Sequence, residues 1–396
     1  MRILHAVETY LPETCGMSEV VRQISERLVR AGHDVTVATG TSPARTRDVI
    51  GGVRVVSFPI RGNAVRGIEG PTEDYERFLL GGGFDIMTNF AAQQWATDLA
   101  LPLLPRITAR KVFVPTGFSA LHDTAYAAYF ERMKTWLHQY DMNVFSSGRY
   151  RDIDFARSCG VTNTMVIPNG AAEDEFLPPS PVDIRRKLGI PPGGLFVLHV
   201  GSHTSLKGHP ETIRIFARAQ LRRAALVIIG QPGPCLRICR CRQILFRTDP
   251  RRLLDGNRVV LAGLSRQETV AALQQADLFL FPSNVECSPI VLHECLASKT
   301  PFLSTDVGNA REIIELSGGG VLLPTCELPN GYFAAELDSS ARLLRELAHD
   351  PARRSRLAES GFTAWRQRFT WEHIARQYGD LYGRLLAGVR PGGRDG

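Results

Sequence analysis

The sequence predicts an α/β protein with two doubly wound domains. The first indication is length, since 396 residues exceed what one hydrophobic core usually accommodates. The second is the alternation of apolar strand patterns with helical patterns along most of the chain, which is typical of parallel sheets covered by helices. The third is a buried strand followed by a loop and an amphipathic helix at the start of each half, because this arrangement opens a doubly wound sheet.

Composition narrows the class of protein further. Hydrophobic residues make up 44% and charged residues 22% of the chain, as in soluble globular proteins. No apolar run approaches the roughly 18 residues of a membrane span, and the N-terminus shows no signal-peptide pattern. The eight cysteines are scattered, which indicates reduced thiols and a cytoplasmic location. The net charge of +7 is compatible with anionic substrates or an anionic membrane face, and we expect no nucleic-acid partner.

We assign residues 1–170 to an N-terminal domain. Its predicted strands are Ile3–Val7, Val35–Ala38, Val53–Phe58, Phe84–Asn89, Lys111–Pro115, Asn143–Ser146 and Thr164–Ile167. Helical patterns occur between them at Val20–Val29, Gln93–Leu104, 124–140 and Arg149–Cys159. The sequence I-P-N-G at 167–170 closes the domain, because proline and glycine interrupt regular structure.

Two loops of this domain lie where a doubly wound sheet binds its ligand. Gly16 precedes the first helix, and glycine lets the backbone approach a ligand because it has no Cβ. Thr116 directly follows a predicted strand, and strand ends of this kind face the ligand crevice. We therefore predict that Gly16 and Thr116 contact a substrate.

A linker and a second domain follow. Residues 171–192 are acidic and then proline-rich, which is typical of a connecting segment, and residues 193–365 form the C-terminal domain. Its predicted strands are Leu195–Val200, Ala225–Gly230, Val259–Leu261, Ala276–Phe281, Pro301–Ser304 and Val321–Leu323. Its predicted helices are Pro210–Ala219, Gln267–Ala276, Ile290–Ala297, Leu337–Ala348 and Pro351–Trp365. An amphipathic helix at 366–386 and a disordered tail at 387–396 complete the chain.

Residues 281–312 are the stretch around which the second domain is organised. Glu286 lies in the polar loop after an apolar strand, and Glu294 lies eight residues later inside a helical pattern. Pro289 suits the first turn of that helix, and the N–H groups around Glu286–Ile290 are placed to bind an anion. Two carboxylates with phosphate-binding amides between them fit a phosphate flanked by hydroxyl-bearing rings. A nucleotide-sugar is such a molecule.

This stretch resembles the donor site of retaining glycosyltransferases of family four (glycosyl transferases group 1), which have the two-domain GT-B fold. The resemblance rests on E-x7-E, on the strand that follows it and on the sequence DVGNARE at 306–312, with I-P-N-G at 167–170 as a further match. It implies two Rossmann-like domains facing across a cleft. It also implies that the final helix crosses back to pack on the first domain.

The resemblance further implies individual roles. Glu286 would position the donor sugar, Glu294 would bind the ribose hydroxyls and Lys207 would bind the diphosphate. Glu286 and Lys207 are therefore the predicted catalytic residues. The other predicted substrate contacts are Gly16, Thr116, Ser202, Gly263, Leu264, Ser288, Pro289, Ile290 and Gly308.

The implied reaction is retaining transfer of a hexose from a UDP- or GDP-type nucleotide-sugar. The acceptor would be a hydroxyl of a glycan, a lipid-linked sugar or a small molecule. Members of the family generally need no metal, so the resemblance implies neither a metal nor a cofactor beyond the donor itself. Bacterial polysaccharide biosynthesis is the commonest setting for the family and is the default expectation.

Four positions depart from the family pattern. Met17 replaces a second glycine, Thr116 a histidine, Ser202 an arginine and Lys299 a glycine. His122 and His203 are candidate substitutes for the missing histidine and arginine. The departures keep open the alternative of a non-catalytic or partner-dependent homologue. A GT-B nucleotide-sugar epimerase or hydrolase is a further alternative, and it would consume donor without an acceptor.

An arginine-rich stretch at 235–252 has no counterpart in this resemblance. It carries six arginines and three cysteines in the pattern C-x3-C-x-C. No fourth cysteine or histidine stands nearby at a zinc-ligand spacing, so we predict no zinc site. Two interpretations remain, a solvated surface helix or a patch that contacts a partner or anionic lipid on the inner membrane face.

Overall fold

A computed structural model describes residues 1–389 and divides the chain into two compact units. The first unit comprises Met1–Asn169 together with the segment from Trp371 onward, and the second comprises Gly170–Thr370. Of the tail predicted at 387–396, residues 390–396 lie outside the described residues. Among the helices of residues 1–389, none combines the length and the apolar character needed to cross a bilayer.

The first unit contains an eight-stranded sheet and a small hairpin. In chain order its strands are β1 (Arg2–Ala6), β2 (Asp34–Gly40), β3 (Val49–Ile50), β4 (Val53–Phe58), β5 (Arg61–Asn63), β6 (Gly67–Glu69), β7 (Ile86–Phe90), β8 (Arg110–Val114), β9 (Met142–Phe145) and β10 (Thr164–Val166). The strand order is β10-β9-β8-β7-β1-β2-β4-β3, and only the β3–β4 pair in this sheet is antiparallel. The chain leaves β1 towards β4 and returns to β7, so the order reverses between β1 and β7.

Helices cover this sheet, with one departure from prediction. They are α1 (Gly16–Arg30), α2 (Glu73–Gly81), α3 (Trp95–Asp98), α4 (Ala127–Leu137) and α5 (Arg151–Ser158). The single helix predicted at Gln93–Leu104 is wrong, since α3 is followed by a separate 3-10 helix at Leu101–Arg106. Pro102 and Pro105 explain the break, because proline lacks the N–H that an α-helix interior needs.

The second unit contains a six-stranded parallel sheet and a two-stranded ribbon. Its strands are β11 (Leu195–Val200), β12 (Ala224–Ile229), β13 (Arg258–Ala262), β14 (Leu278–Phe281), β15 (Phe302–Ser304), β16 (Gly320–Leu322), β17 (Thr325–Glu327) and β18 (Phe333–Ala335). The main sheet has the order β13-β12-β11-β14-β15-β16, so the order reverses between β11 and β14. Strands β12 and β14 are buried along their whole length, as expected for a parallel sheet covered on both faces. The predicted fold of two Rossmann-like α/β domains is confirmed.

Ten helices of the described chain belong to the second unit. They are α6 (Glu173–Phe176), α7 (Ile184–Lys187), α8 (His209–Arg218), α9 (Leu236–Arg247), α10 (Pro250–Leu254), α11 (Arg266–Gln275), α12 (Ile290–Ala297), α13 (Ala310–Ser317), α14 (Leu337–His349) and α15 (Pro351–Arg368). Helix α15 extends three residues beyond the predicted domain end at 365, and the second unit continues to Thr370.

The stretch at 171–192 is part of the second unit, which corrects the prediction of a linker. Phe176, Ile184 and Ile190 are buried in the hydrophobic core beside β11. The indole N–H of Trp365 donates to the carbonyl of Ala171 at 3.1 Å, and the two ends of the unit thereby meet. Acidic and proline-rich composition concealed these widely spaced apolar residues.

The final helix, α16 (Trp371–Leu386), completes the core of the first unit. Tyr382 on this helix contacts two strands through its hydroxyl, which lies 2.7 Å from Thr88 Oγ1 and 3.1 Å from His5 Nε2. The other ring nitrogen of His5 lies 2.7 Å from the hydroxyl of Ser25 on α1. Burial lowers the pKa of His5 to about 3, so this polar bridge is uncharged at neutral pH.

A buried carboxylate supports the loop that follows β8. The backbone of this loop has positive φ at Thr116 (59°), Gly117 (101°) and Phe118 (44°). Asp152, in the first turn of α5, accepts a hydrogen bond from the N–H of Gly117 at 2.8 Å. Burial raises the pKa of Asp152 to about 6, which means that the ionised form is penalised in the folded state.

Replacing Asp152 by Asn should remove a pH dependence of stability. The folded-state pKa lies above the ordinary value of 3.8, so the contribution of Asp152 is fully present below that value and is lost as the pH rises through about 6. The free energy of unfolding of the wild type, relative to Asp152→Asn, should fall by roughly 3 kcal/mol across this window. Urea unfolding followed by circular dichroism at several pH values measures the difference.

The matched control is Asp154→Asn, which removes an exposed carboxylate from the same helix. Its stability should follow the wild-type pH profile. Parallel profiles for all three proteins would contradict the assigned pKa of Asp152.

Candidate active site

The site of the second unit lies at the carboxyl ends of β11 and β14. These strands are neighbours, and the strand order reverses between them. In open α/β sheets, ligands bind at such a reversal, outside the carboxyl ends of the strands. The loops that leave the two strands are residues 201–208 and 282–289, and they contain both predicted catalytic residues, Lys207 and Glu286.

The two loops pack closely because Gly208 has no side chain. Gly208 has a φ of +68°, and a Cβ at this position would lie 1.9 Å from the carbonyl oxygen of Pro282. The N–H of Asn284 donates to the carbonyl of Leu206 at 2.8 Å, and the Ser283 hydroxyl oxygen lies 3.1 Å from the same carbonyl oxygen. The loop after β11 is therefore fixed against the loop after β14.

This packing joins the two residues predicted to be catalytic. The ammonium of Lys207 donates to both carboxylate oxygens of Glu286, at 2.7 Å each. The Ser283 hydroxyl donates to Glu286 Oε1 at 2.8 Å. The Glu286 side chain is 9% exposed and that of Lys207 is 30% exposed, so the cation is the more accessible member of the pair. The arrangement presents an ammonium and a carboxylate side by side at the edge of the sheet.

The second predicted carboxylate is held by an arginine. Glu294 lies inside α12, and its side chain, 7% exposed, accepts from the guanidinium of Arg266 at 2.6 Å. Arg266 also pairs with Glu175 on α6 and lies over the ring of Phe176. Sequence analysis missed Arg266. The sequence did contain a signal for Arg266. A cation in the first turn of a helix interacts unfavourably with the helix dipole, so an arginine there favours pairing with an acidic residue elsewhere in the chain.

The start of α12 is supported by the loop after β15. Gly308 has a φ of +55°, and a Cβ there would lie 2.2 Å from the carbonyl oxygen of Cys287. The N–H of Asn309 donates to that carbonyl at 2.9 Å, and its side-chain amide donates to the hydroxyl of Ser288 at 3.0 Å. Pro289 is the N-cap residue of α12 and Ile290 is its first residue. The loop that contains Gly308 is thus packed against the segment Glu286–Ile290 at the start of α12.

Gly263 and Leu264, two of the predicted substrate contacts, follow the edge strand β13. A Cβ on Gly263 would meet no atom within 4 Å, and Leu264 is half-buried against the core. Two residues later Arg266 reaches Glu294, so this loop is linked to the carboxylate predicted to bind ribose. Ser202 lies in the loop after β11, five residues before Lys207.

One of the departures from the family pattern, Lys299, gains a physical explanation. Lys299 has a φ of 56° and directly follows Ser298, the C-cap of α12, a position where glycine is common because it tolerates this conformation. Its ammonium pairs with Glu359 at 2.8 Å, so it serves the helix end. His203 does not replace the missing arginine, because burial and the neighbouring Arg240 lower its pKa and leave it neutral at neutral pH. His122 is exposed in a turn.

In the first unit, the strand reversal between β1 and β7 carries carboxylates that sequence analysis missed. The N–H of Glu8 donates to Gln94 Oε1 at 2.6 Å, and Asp98 accepts from the N–H of Ala64 at 2.9 Å and from the hydroxyl of Tyr129 at 2.8 Å. Burial raises the pKa of Asp98, and burial followed by the charge of Asp98 raises the pKa of Glu8. Both groups are able to accept hydrogen bonds from hydroxyls.

The two residues predicted to bind substrate in this unit differ in character. Gly16 is the first residue of α1, and a Cβ there would meet no atom within 4 Å, so local packing does not require glycine. Thr116 adopts a positive φ, as do Ala91 and Gln93 in the loop after β7. Non-glycine residues in this conformation cost roughly 1–3 kcal/mol each and concentrate at functional sites.

Two family models match the chain. The model described as Glycosyl transferases group 1 matches residues 182–363, and that described as Glycosyltransferase Family 4 matches residues 14–175. Each match falls almost wholly within one unit.

Known proteins agree with these matches. D-inositol 3-phosphate glycosyltransferase from Nocardioides sp. is 27% identical over 235 residues, which cover 57% of this chain and 49% of the relative. The match thus spans about half the length of that relative.

Solved structures share the fold. Sucrose-phosphate synthase from Thermosynechococcus elongatus aligns with a TM-score of 0.77 at 21% identity, covering 98% of this chain and 100% of that one. Anabaena Alr3699/HepE in complex with UDP-glucose aligns with a TM-score of 0.74 at 16% identity and the same coverage. Taken with the two family models, these likenesses show that the chain belongs to the GT-B glycosyltransferases of the group 1, family-four type.

Proposed function

We propose that this glycosyltransferase moves a hexose from a nucleotide-diphosphate donor to an acceptor hydroxyl with retention at the anomeric carbon. The observation that carries the proposal is the Lys207–Glu286 pair at the strand reversal, followed in the same β14–α12 segment by Glu294 inside α12. Together they offer a cation for phosphate and two carboxylates for hydroxyls. This arrangement of charges is complementary to a nucleotide-sugar.

Lys207 is proposed to stabilise the departing diphosphate. As the bond between the sugar and the phosphate breaks, negative charge grows on the diphosphate, and a fixed cation stabilises that charge more than the ground state. Lys207 is the more exposed partner of Glu286, so it can turn towards a phosphate while its stem remains packed. This charge lets the reaction proceed without a metal ion.

Glu286 is proposed to orient the sugar, and Glu294 the ribose. Once Lys207 turns to the diphosphate, Glu286 keeps the hydrogen bond from Ser283 and has acceptor capacity for sugar hydroxyls. Glu294 is held in place by Arg266, whose charge-assisted hydrogen bond fixes the direction of the carboxylate. Both groups would then accept hydrogen bonds from hydroxyls on the two sides of the diphosphate.

UDP-sugars are the proposed donor class, supported by the bound UDP-glucose of the structurally similar Anabaena protein. GDP-sugars are the alternative. The acceptor is proposed to be a hydroxyl of a glycan, a lipid-linked sugar or a small molecule, in polysaccharide-type biosynthesis on the cytoplasmic side. The glycosyltransferase from Nocardioides sp., whose name includes inositol phosphate, supports a phosphorylated small-molecule acceptor among these.

A non-catalytic homologue is the competing candidate. Thr116 and Ser202 still stand where the family has a histidine and an arginine. Lys299 no longer favours this candidate, because its role at the end of α12 explains it locally. The two predictions below separate the candidates.

Nucleotide binding should depend on Lys207 and Glu294. In EDTA, UDP should raise the melting temperature of the wild type, and Lys207→Met or Glu294→Gln should weaken UDP binding by roughly tenfold or more, the cost of a lost charge-assisted hydrogen bond. Thermal-shift titration with UDP, GDP and ADP measures the effect. Lys134→Ala, which removes an exposed lysine paired only to Glu131 within the described chain, is the matched control. An equal shift in all variants, or none in the wild type, would refute the donor site.

Glu286→Gln should separate binding from transfer. UDP lacks the sugar, so this variant should bind UDP as the wild type does and lose at least about tenfold in sugar transfer, since an uncharged amide accepts sugar hydroxyls less strongly. Release of UDP in the presence of an acceptor panel gives the rate, and proton NMR of the product gives the anomeric configuration. An inverted product would overturn the retaining mechanism, and equal UDP release without acceptor would indicate a hydrolase.

The arginine-rich helix is proposed to contact anionic membrane surfaces. Helix α9 exposes Ile238, Ile244 and Leu245, at 50%, 60% and 69%, among the exposed arginines 237, 240 and 247. A basic helix with an exposed apolar face is suited to the headgroup region of an anionic bilayer. Membrane-attached acceptors would then lie within reach of the enzyme.

Vesicle flotation tests this surface. The wild type should float with vesicles containing phosphatidylglycerol and remain behind with phosphatidylcholine alone, and Arg240→Glu with Leu245→Glu should abolish flotation because it removes charge and apolar contact together. Arg356→Glu, at an exposed position of α15, is the control for the change in charge. Flotation unaffected by the double substitution would remove α9 from the binding surface.

A further inference from the structure

We infer that His203, His209 and Cys235 form a binding site for a thiophilic divalent cation such as Zn²⁺. The three residues come from separate segments, namely the loop after β11, the first residue of α8 and the N-cap of α9. One ligand atom from each lies within 4.8 Å of the others. His203 Nδ1 and Cys235 Sγ are 3.3 Å apart. All three residues are buried, between 0% and 2% exposed.

The donor set selects the metal. Two imidazoles and a thiol are ligands that Zn²⁺ accepts, whereas Mg²⁺ and Ca²⁺ require oxygen ligands that this group lacks. Zinc–ligand bonds of roughly 2.0–2.3 Å place tetrahedral ligand atoms about 3.3–3.8 Å apart. The His203–Cys235 separation already matches this spacing, and the longest separation in the group must contract by about 1 Å.

The hydrogen bonding of His209 leaves a nitrogen available for coordination. Its Nε2 lies 2.9 Å from the carbonyl oxygen of Gly201, and because a carbonyl only accepts, Nε2 must carry the proton. Nδ1 therefore holds a lone pair, and it has no hydrogen-bond partner among residues 1–389 although it is buried. A histidine whose second nitrogen donates to a backbone carbonyl is the usual form of a metal-bound imidazole.

Cys239 supplies a neighbouring thiol. It lies one turn after Cys235 on α9, is fully buried and interacts with the Cys235 thiol. The fourth coordination position belongs either to Cys239 or to solvent. Sequence spacing did not reveal the site because His203 is 32 positions away from Cys235.

The site would fasten the loop that carries Lys207. The N–H of Cys235 donates to the carbonyl of His203 at 3.3 Å, and the N–H of His203 donates to Gln231 at 3.1 Å, so the loop after β11 already rests on the segment before α9. A bound ion would add coordination bonds from the side chains to these backbone contacts. This consequence for donor binding rests on the proposed function, whereas cation binding itself does not.

Cobalt titration of the full-length, EDTA-treated and reduced protein tests the site. The wild type should bind one Co²⁺ with a thiolate-to-cobalt charge-transfer band that Zn²⁺ abolishes. Cys235→Ser should lose the band if solvent is the fourth ligand and weaken it if Cys239 is. His203→Gln should weaken Co²⁺ binding at least tenfold, while Cys241→Ser, an exposed cysteine on the same helix, should behave as the wild type. Cys239→Ser should retain the band if solvent is the fourth ligand and weaken it if Cys239 is.

Absence of the band from the wild type, or a band of undiminished intensity in Cys235→Ser, would overturn the inference. If circular dichroism shows that Cys235→Ser does not fold, His203→Gln decides the question. His203 lies in the loop after β11, so this substitution removes no side chain from a strand or a helix. A Zn²⁺-induced rise in melting temperature, on the order of 5 °C at hundredfold excess over Kd, should occur in the wild type and in the variants that keep the cobalt band, and be absent from variants that lose it. Lys207→Met should keep the cobalt band and lose UDP binding, which separates failure of this site from failure of the donor site.

Discussion

The ion pair between Lys207 and Glu286 determines the geometry at the centre of the second unit. Withdrawing two charges from water costs several kcal/mol per ion, and a buried pair offsets this cost only when its hydrogen bonds are well made. Here Lys207 reaches both carboxylate oxygens and Ser283 adds a third bond. The close approach depends on Gly208, because any Cβ would collide with Pro282. The loops after β11 and β14 therefore depend on each other for their conformation.

Much of this arrangement could be predicted from the sequence because it follows from local patterns. The spacing of Glu286 and Glu294 places one carboxylate in the loop before α12 and the other inside that helix, and the structure keeps both positions. The apolar runs gave the strands on each side. Where the local pattern was misjudged, the cause was also local. The prediction of a helix at Gln93–Leu104 relied on apolar spacing and gave too little weight to Pro102 and Pro105.

The remaining features involve residues far apart in the chain, and spacing rules cannot detect them. Arg266 meets Glu175 at a separation of 91 residues, and this contact organises the surroundings of Glu294. Asp152 supports the backbone of Gly117 from 35 residues away. The segment at 171–192 was misinterpreted for the same reason, since Phe176 and Ile184 gain their burial from strands and helices that follow much later.

The placement of α16 makes the second unit an insertion within the first. Residues 170–370 are continuous, whereas the first unit is assembled from the two ends of the chain. During synthesis the second unit is complete before Tyr382 leaves the ribosome, and until then His5 and Thr88 lack their buried hydroxyl partner. Synthesis of the first unit therefore begins before that of the second unit and is completed after it. A fragment ending at Asn169 would expose the apolar face that α16 covers, whereas a fragment of 170–370 holds its own core.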